Sequence, residues 1–431
     1  MRPVRVESIR FVVLADDLTS AAEAAGHLAD TGRPASVIVD PAADAGRGAS
    51  ELLAPAADGG GEASALMAET GCGVLLAAAA GGGAWPCVDL DTRHRPEAEA
   101  AARHARAIEL LPAVGIYKTM DSSLRGNWAA ELAAVMRASR RSLAVVAPAC
   151  PAYDRRTVGG HQLANGVPVH LGPAGRDPVR PVLTSSVVRP ISRQGLTVAP
   201  VRPENLALAG TSGVLVVDAA TTADLERIAA AVKGHLAEIV LCGSPGLWEA
   251  LHPLGQAPGG GPTDRGLLAE RGPVAGGGLP AARKALVLIG SLHPTTREQL
   301  AKLKSSGVPV LTTDDAHEAV ALFETATTVA VATPETSVVG PHLSALGEIG
   351  ARCAAAVPGL GFVLSGGDTA RELTVALRVN EIRAAGTIAP GIMIGTAIGP
   401  NLPVITKAGG FGDPDMLITA VEALTRSSRR P

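Results

Sequence analysis

Aromatic side chains are scarce in this chain, at 2% of 431 residues. That counts against a base-stacking surface of the kind single-stranded nucleic acids occupy. Net charge is nearly missing as well. A formal charge of −3 gives no general attraction to nucleic acid or to an anionic membrane. The five cysteines (Cys72, Cys87, Cys150, Cys242 and Cys353) form no Cys-x-x-Cys pair, and the ten histidines show no metal-ligand spacing. An odd, scattered count suits a reducing cytoplasm, where each thiol is expected as a small buried hydrophobe. No run reaches about 18 strongly apolar residues, so no membrane span is expected. The apolar run in "MRPVRVESIRFVVLADDL" is broken by Asp16 and Asp17 and is too short for a signal-peptide core. No G-x-x-x-x-G-K-[ST] loop occurs, and no G-x-G-x-x-G follows the first strand of either half.

What the chain does have is alternation. Short apolar runs such as "IRFVVLA", "VGIYKTM", "LAVVAPA", "GVLVVDA" and "EIVLCGS" are separated by Ala/Leu-rich helical patterns such as "TSAAEAAGHLADTG" and "NWAAELAAVMRAS". Continuous apolar runs fit strands buried on both faces of a parallel sheet. Helices between them give right-handed β-α-β units. A Gly- and Pro-rich stretch at 256–283 interrupts the pattern and reads as a linker. A second alternation follows, with "KALVLIGS", "VPVLTTD", "TTVAVAT" and "GFVLSGG" as strands. The expected fold is therefore α/β, with two domains at 1–255 and 284–431, each a largely parallel sheet flanked by helices.

In such sheets ligands bind beyond the carboxyl ends of the strands, and this chain concentrates its polar residues there. Asp16 and Asp17 follow the first strand; each can accept hydrogen bonds from a polyol, serve as a general base, or cap the next helix. "KTMDSSLRGN" follows another strand and holds Lys118, Asp121, Ser122, Ser123, Arg125 and Gly126, with Asn127 as a helix cap. Arg125 can grip a carboxylate with two parallel hydrogen bonds. "YDRRTVGG" adds Arg155 and Arg156. His161, His170 and His293 lie in nearby loops without a partner pattern and read as bystanders.

The second half offers two glycine loops. In "LSGGDTARELTVAL", Gly366 and Gly367 permit close main-chain approach, and Asp368 or Thr369 is expected to cap a helix whose N-terminus attracts an anion. In "TKAGGFGDPD", Lys407 precedes Gly409, Gly410 and Gly412, and the loop can wrap phosphates or a base. Two such loops in one domain favour a nucleotide.

The motifs "ADDLTSAAEAAG", "KTMDSSLRGN", "PACPAYDRRTVGG", "GSPGLWEAL", "LSGGDTA" and "TKAGGFGDPD", in this order, resemble the four-carbon acid sugar kinase family, whose members include 3-oxo-tetronate, D-threonate and D-erythronate kinases. The resemblance runs from about 11 to about 420. It implies an N-terminal acid-sugar domain, a C-terminal nucleotide domain, and ATP with Mg²⁺ spent on the terminal hydroxyl of the sugar acid. On that resemblance Arg125 holds the substrate carboxylate, Asp121 and the serines hold hydroxyls, and Ser291, Gly366–Thr369 and Gly409–Gly412 hold the nucleotide. Asp17 or Asp121 accepts the hydroxyl proton. The family often has Gly at the position of Ser20, Asp at Glu23 and Thr at Ser123, and its Gly-Arg-Thr pattern leaves Arg155 or Arg156 to carry the arginine's role. These departures bear on which sugar acid is used. Its partners would be small molecules, in a cytoplasmic protein with no nucleic acid or membrane, and a homo-oligomer stays open. Two other classes remain: a non-catalytic sugar-acid sensor, which ATP-dependent turnover would exclude, and a nucleotide-dependent oxidoreductase, which the missing G-x-G-x-x-G disfavours.

Overall fold

The computed structural model describes residues 11–39, 84–111, 115–177, 180–253, 279–280, 282–312, 315–334 and 339–426. Cys72 and most of the 256–283 stretch fall outside them. The chain groups into two compact units, residues 1–24 with 85–255 and residues 25–84 with 256–431. Residues 25–84 thus group with the later part of the chain.

In the first unit seven parallel strands lie side by side in the order Trp85–Asp89, Phe11–Ala15, Gly115–Thr119, Ile239–Gly243, Leu143–Ala147, Gly213–Val217 and Val198–Val201. Every residue of the Phe11, Gly115, Leu143 and Ile239 strands is buried. Burial on both faces is why they read as unbroken apolar runs rather than as alternation. Each fully buried Val, Ile or Leu contributes about 1.5–3 kcal/mol. The scarce aromatics gather here: Phe11 lies 5.7 Å from both Trp85 and Trp248, and Tyr117 lies 4.6 Å from Trp248. Helices Glu97–Leu110, Trp128–Ser139, Thr222–Val232 and Pro245–Leu251 complete the frame. The third starts at a capping box, in which Thr221 and Asp224 satisfy each other's backbone N–H. A small antiparallel sheet of Arg155–Val158, His161–Ala164 and Val167–Pro168 stands apart.

The second unit has parallel strands Val310–Leu311, Thr328–Ala332, Lys284–Ile289, Leu360–Ser365 and Leu402–Lys407, in that spatial order. Three antiparallel strands extend it: Ile392–Ala397, Glu381–Ala389 and Ala35–Val39. Val287, Val363, Ile405, Leu417 and Leu424 are at most 1% exposed in its core. The helix Leu18–Asp30 ends as its Gly suggested. The Arg33 N–H reaches Leu28 O at 3.0 Å and the Gly32 N–H reaches Ala29 O at 2.9 Å, with Gly32 at φ +80°. This is a Schellman stop, and its left-handed residue is the one glycine tolerates. Among the described residues no helix is long and apolar enough to cross a membrane.

Two candidate sites at strand ends

The first unit places three strand ends together. Asp16 follows Phe11–Ala15 and is 1% exposed. Arg93, beyond the Trp85–Asp89 strand, holds it through Nε to Oδ2 at 2.9 Å and Nη2 to Oδ1 at 3.0 Å. The same guanidinium reaches Asp17 through Nη1 and Ser20 Oγ at 3.3 Å. Backbone bonds from Thr92 and Arg93 to Asp16 O, at 2.9 and 3.1 Å, fix the two segments. Burial alone would raise the Asp16 carboxyl, but Arg93 and Lys118 outweigh it and hold it below the ordinary value. Arg93 lay outside the sequence-level candidates. Its signal was the cluster "DLDTRHR" after a short apolar run.

Asp17 caps the following helix. Its Oδ1 accepts from Ser20 N at 2.9 Å, and its Oδ2 accepts from Thr19 Oγ1 at 2.9 Å. Asp121 is gripped by Arg125, Nε to Oδ2 at 3.0 Å and Nη2 to Oδ1 at 2.9 Å, and also accepts the Ser123 and Arg125 backbone N–H groups. Burial would raise this carboxyl; Arg125 overcomes that and drives it well below the usual carboxylate range. A carboxylate held so low is a weak base. Arg125 keeps 38% of its side chain exposed, so one edge of its fork faces outward. Gly126 sits at φ +86°, and a Cβ there would meet Asp16 Oδ2 at 3.1 Å. Ser122 and Ser123 occupy the same loop, which is tied down by Gln162: its Nε2 donates to Ser122 O at 2.8 Å and Pro148 O at 3.1 Å.

Lys118 behaves differently from the other loop residues. It is 0% exposed, and its ammonium lies 2.5 Å from the equally buried Glu131 and 2.6 Å from Thr119 O. Burial would lower the ammonium, but Glu131 and Asp16 keep it protonated. Thr92 Oγ1 donates to the other Glu131 oxygen at 2.7 Å. Nearby His104 gives Nδ1 to Ala100 O, and burial pushes it down to about 4, so it is neutral at ordinary pH. Lys118 therefore supports the loop from beneath. Asn127 stands at the N-cap position of Trp128–Ser139 but does not cap it with its side chain. Its amide instead donates to Thr92 O and Arg95 O, both at 2.9 Å. Arg155 and Arg156 lie on the small sheet; Arg155 Nη1 donates to Tyr153 O and Arg156 pairs with the half-buried Asp154.

The second unit brings its glycine loops together around Ser291. Gly366 is the N-cap residue of Gly367–Ala376 at φ +110°, a conformation that L side chains rarely adopt. A Cβ on Gly366 would meet Ser291 Cβ at 3.5 Å, and one on Gly409 would meet Ser291 Oγ at 2.4 Å. Asp368 lies in the first helical turn. Thr369 does not cap its own helix: its Oγ1 accepts from Gly290 N at 3.0 Å and donates to Ser365 O at 3.1 Å, joining two strand ends. His293 caps Pro294–Ser305, its Nδ1 accepting from Thr295 N.

The carbonyls of the 407–413 loop are drawn to the helix Pro294–Ser305. Lys407 Nζ donates to Ala408 O at 3.0 Å and Gly409 O at 3.2 Å, and Thr296 Oγ1 donates to Gly409 O at 2.6 Å. Gln299 Nε2 reaches Phe411 O, Gly412 O and Asp413 O at 3.0, 3.2 and 2.8 Å. Lys407 and Gln299 are 0% exposed. Burial pushes the Lys407 ammonium down to about 8, since its hydrogen-bond acceptors Thr296 Oγ1, Ala408 O and Gly409 O are neutral oxygens. Thr296 and Gln299 lay outside the sequence-level candidates, because they sit in the amphipathic helix "TTREQLAKLKSSG" and nothing local marks them.

Two family models match the chain one after the other. A model described as a sugar-binding N-terminal domain fits residues 11–251, and one described as a nucleotide-binding C-terminal domain fits 286–417. A Bordetella bronchiseptica D-threonate kinase is 32% identical, covering 77% of this chain and 85% of its own length. A Cupriavidus necator 3-oxo-tetronate kinase is 28% identical over 78% of this chain and 86% of its own. A solved Haemophilus influenzae structure shares the fold at TM-score 0.62 and 19% identity, covering 96% of this chain and 99% of that one. The chain belongs to the four-carbon acid sugar kinase family.

Proposed function

We infer that this protein transfers the γ-phosphoryl group of ATP to the terminal hydroxyl of a four-carbon sugar acid. The observation that carries the reading is the convergence of two glycine loops on Ser291, with the carbonyls of one loop tied back by Lys407, Thr296 and Gln299. A main chain so arranged, beside a helix N-terminus, suits polyphosphate. The kinase names of the relatives support the reaction type.

In this reading the second unit holds ATP at Ser291, Gly366, Gly367, Asp368, Thr369, Gly409, Gly410 and Gly412. Mg²⁺ arrives with the nucleotide, held largely by phosphate oxygens. Among the described residues no three His, Cys, Asp or Glu side chains gather as a metal site. The first unit holds the acid. Arg125 turns its outer edge to the substrate carboxylate, with Arg155 second in line, and Ser122, Ser123 and the Gly126 main chain meet the hydroxyls. Asp16 anchors Arg93, and Lys118 supports the loop. Phosphoryl transfer asks mainly for alignment and charge neutralisation. Asp17 takes the hydroxyl proton, because Arg125 already occupies both carboxylate oxygens of Asp121. Buried free thiols at Cys87, Cys150, Cys242 and Cys353 support a reducing cytoplasm as the location.

The test is ADP release from ATP and Mg²⁺ across four-carbon sugar acids and their stereoisomers. Activity with at least one of them is expected, and its loss in Gly366→Ala with sugar-acid binding intact. No ADP above background with any acid would refute the kinase reading.

A further inference from the structure

Beside the Asp16–Asp17–Arg93 cluster lies a cavity of about 20 Å³ that the roles above do not use. Its lining includes Ser20, Glu23, Thr119, Met120 and Ser244. The volume is enough for one oxygen-sized group. Two polar atoms on its wall, Glu23 Oε1 and Thr119 Oγ1, are buried without a hydrogen-bond partner. Buried polar atoms are almost always paired, so two orphans facing one small void need a group to fill it. Two of the segments that line the void also reach the candidate site. Ser20 Oγ accepts from Arg93, and Ser20 N donates to Asp17. On the other side, Thr119 and Met120 lead directly into Asp121.

Resting on the kinase reading, we propose that Glu23 and Thr119 form a notch for one internal hydroxyl of the sugar acid, which makes Glu23 a specificity-determining residue. A hydroxyl both donates and accepts. It can give its proton to one orphan oxygen while accepting from the other group. Ser20 narrows the notch with its hydroxymethyl, and the length of the Glu23 side chain sets its depth.

The charge state of Glu23 agrees with this. Burial, then Glu249 and Asp17, push its carboxyl up to about 8, so at neutral pH it is protonated and can donate. Tyr117 and Cys150 also face it, and burial keeps both protonated at neutral pH. Between pH 7 and 9, therefore, Glu23 is expected to change charge while Tyr117 and Cys150 are not.

The experiment compares kcat/KM for the best sugar acid and for its two monodeoxy analogues, each lacking one internal hydroxyl. Wild type, Glu23→Gln, Glu23→Ala and Thr119→Val are measured. In the wild type one analogue is expected to lose about 100-fold or more, as sites built to bond a hydroxyl reject its absence. In Glu23→Ala that penalty is expected to shrink below about 3-fold, while Glu23→Gln, which keeps a neutral donor, retains most of it. The fall in wild-type kcat/KM above pH 8 is expected to disappear in Glu23→Gln. Equal penalties in wild type and Glu23→Ala for both analogues would overturn the notch while leaving the kinase reading intact. Absence of wild-type turnover with any acid would overturn the kinase reading itself.

Discussion

Arg93 holds Asp16 with two parallel hydrogen bonds, 2.9 and 3.0 Å long, between strand ends 77 residues apart in sequence. Asp16 is almost wholly buried, and Arg93 is 13% exposed. A charge this deep needs its partner. Arg93→Ala leaves Asp16 buried and uncompensated, which is expected to cost about 3–5 kcal/mol. Arg93→Lys restores a point charge but not the fork, so it should recover only part of the loss. Urea unfolding of the three proteins measures both. Wild-type stability in Arg93→Ala would mean that the pair is open to water.

The sequence made much of this frame legible. Strands buried on both faces announced themselves as apolar runs, and their polar ends pointed to Asp16, Asp121, Gly366 and Gly409. The Trp85–Asp89 strand did not, because "WPCVD" carries an aromatic, a proline and an acid in five residues. Arg93 was missed with it. The antiparallel strands Glu381–Ala389 and Ile392–Ala397 were also missed, since seven of the nine residues of "EIRAAGTIA" are Ala, Gly or polar and it takes its strand form from its neighbours. Lys118 was read as a site residue because spacing reveals a strand end but not which face a side chain enters. Its partner Glu131 lies on the next helix, where nothing in the sequence marks it as buried.

Asp121 and Arg125 bind each other with a fork-to-fork pair. Arg125→Ala should raise KM for the sugar acid about 30-fold, the lower end expected of a truncated charge-assisted pair because Arg125 is over a third exposed. Arg125→Lys should restore only a fraction. Asp121→Asn keeps the shape but loses the charge that orients the fork; kcat/KM for the acid should drop at least about 10-fold, the worth of a charge-assisted hydrogen bond, with the KM for ATP unchanged. An ATP KM that shifts as far as the acid KM would contradict the assignment of this loop to the acid.

Lys118 and Glu131 are both 0% exposed at 2.5 Å. Lys118→Met alone and Glu131→Gln alone should each destabilise by about 3–5 kcal/mol, since each strands the other charge. The double variant should be more stable than either single one. Calorimetric melting of the four proteins completes the cycle; additive losses would show that the two charges do not interact.

Lys407 poses the opposite case, a buried ammonium that donates its hydrogen bonds to neutral oxygens. Burial pushes it from the ordinary lysine value of 10.5 down to about 8. Between those two values the unfolded chain binds the extra proton and the folded chain does not, so stability should rise with pH across that window. Below about pH 8 the folded protein carries the full cost of the buried charge. Lys407→Met removes the charge, and its melting temperature should lose the rise between pH 8 and 10. It also removes the donor that draws Ala408 O and Gly409 O inward, while Gln299 still holds the loop's far end. Nucleotide binding should therefore weaken by about 10-fold, on the scale of one charge-assisted hydrogen bond, rather than vanish. Titration calorimetry with ATP at pH 7 reads that loss, and the melting series reads the linkage. A variant that binds ATP like the wild type would show that the loop keeps its shape without the ammonium.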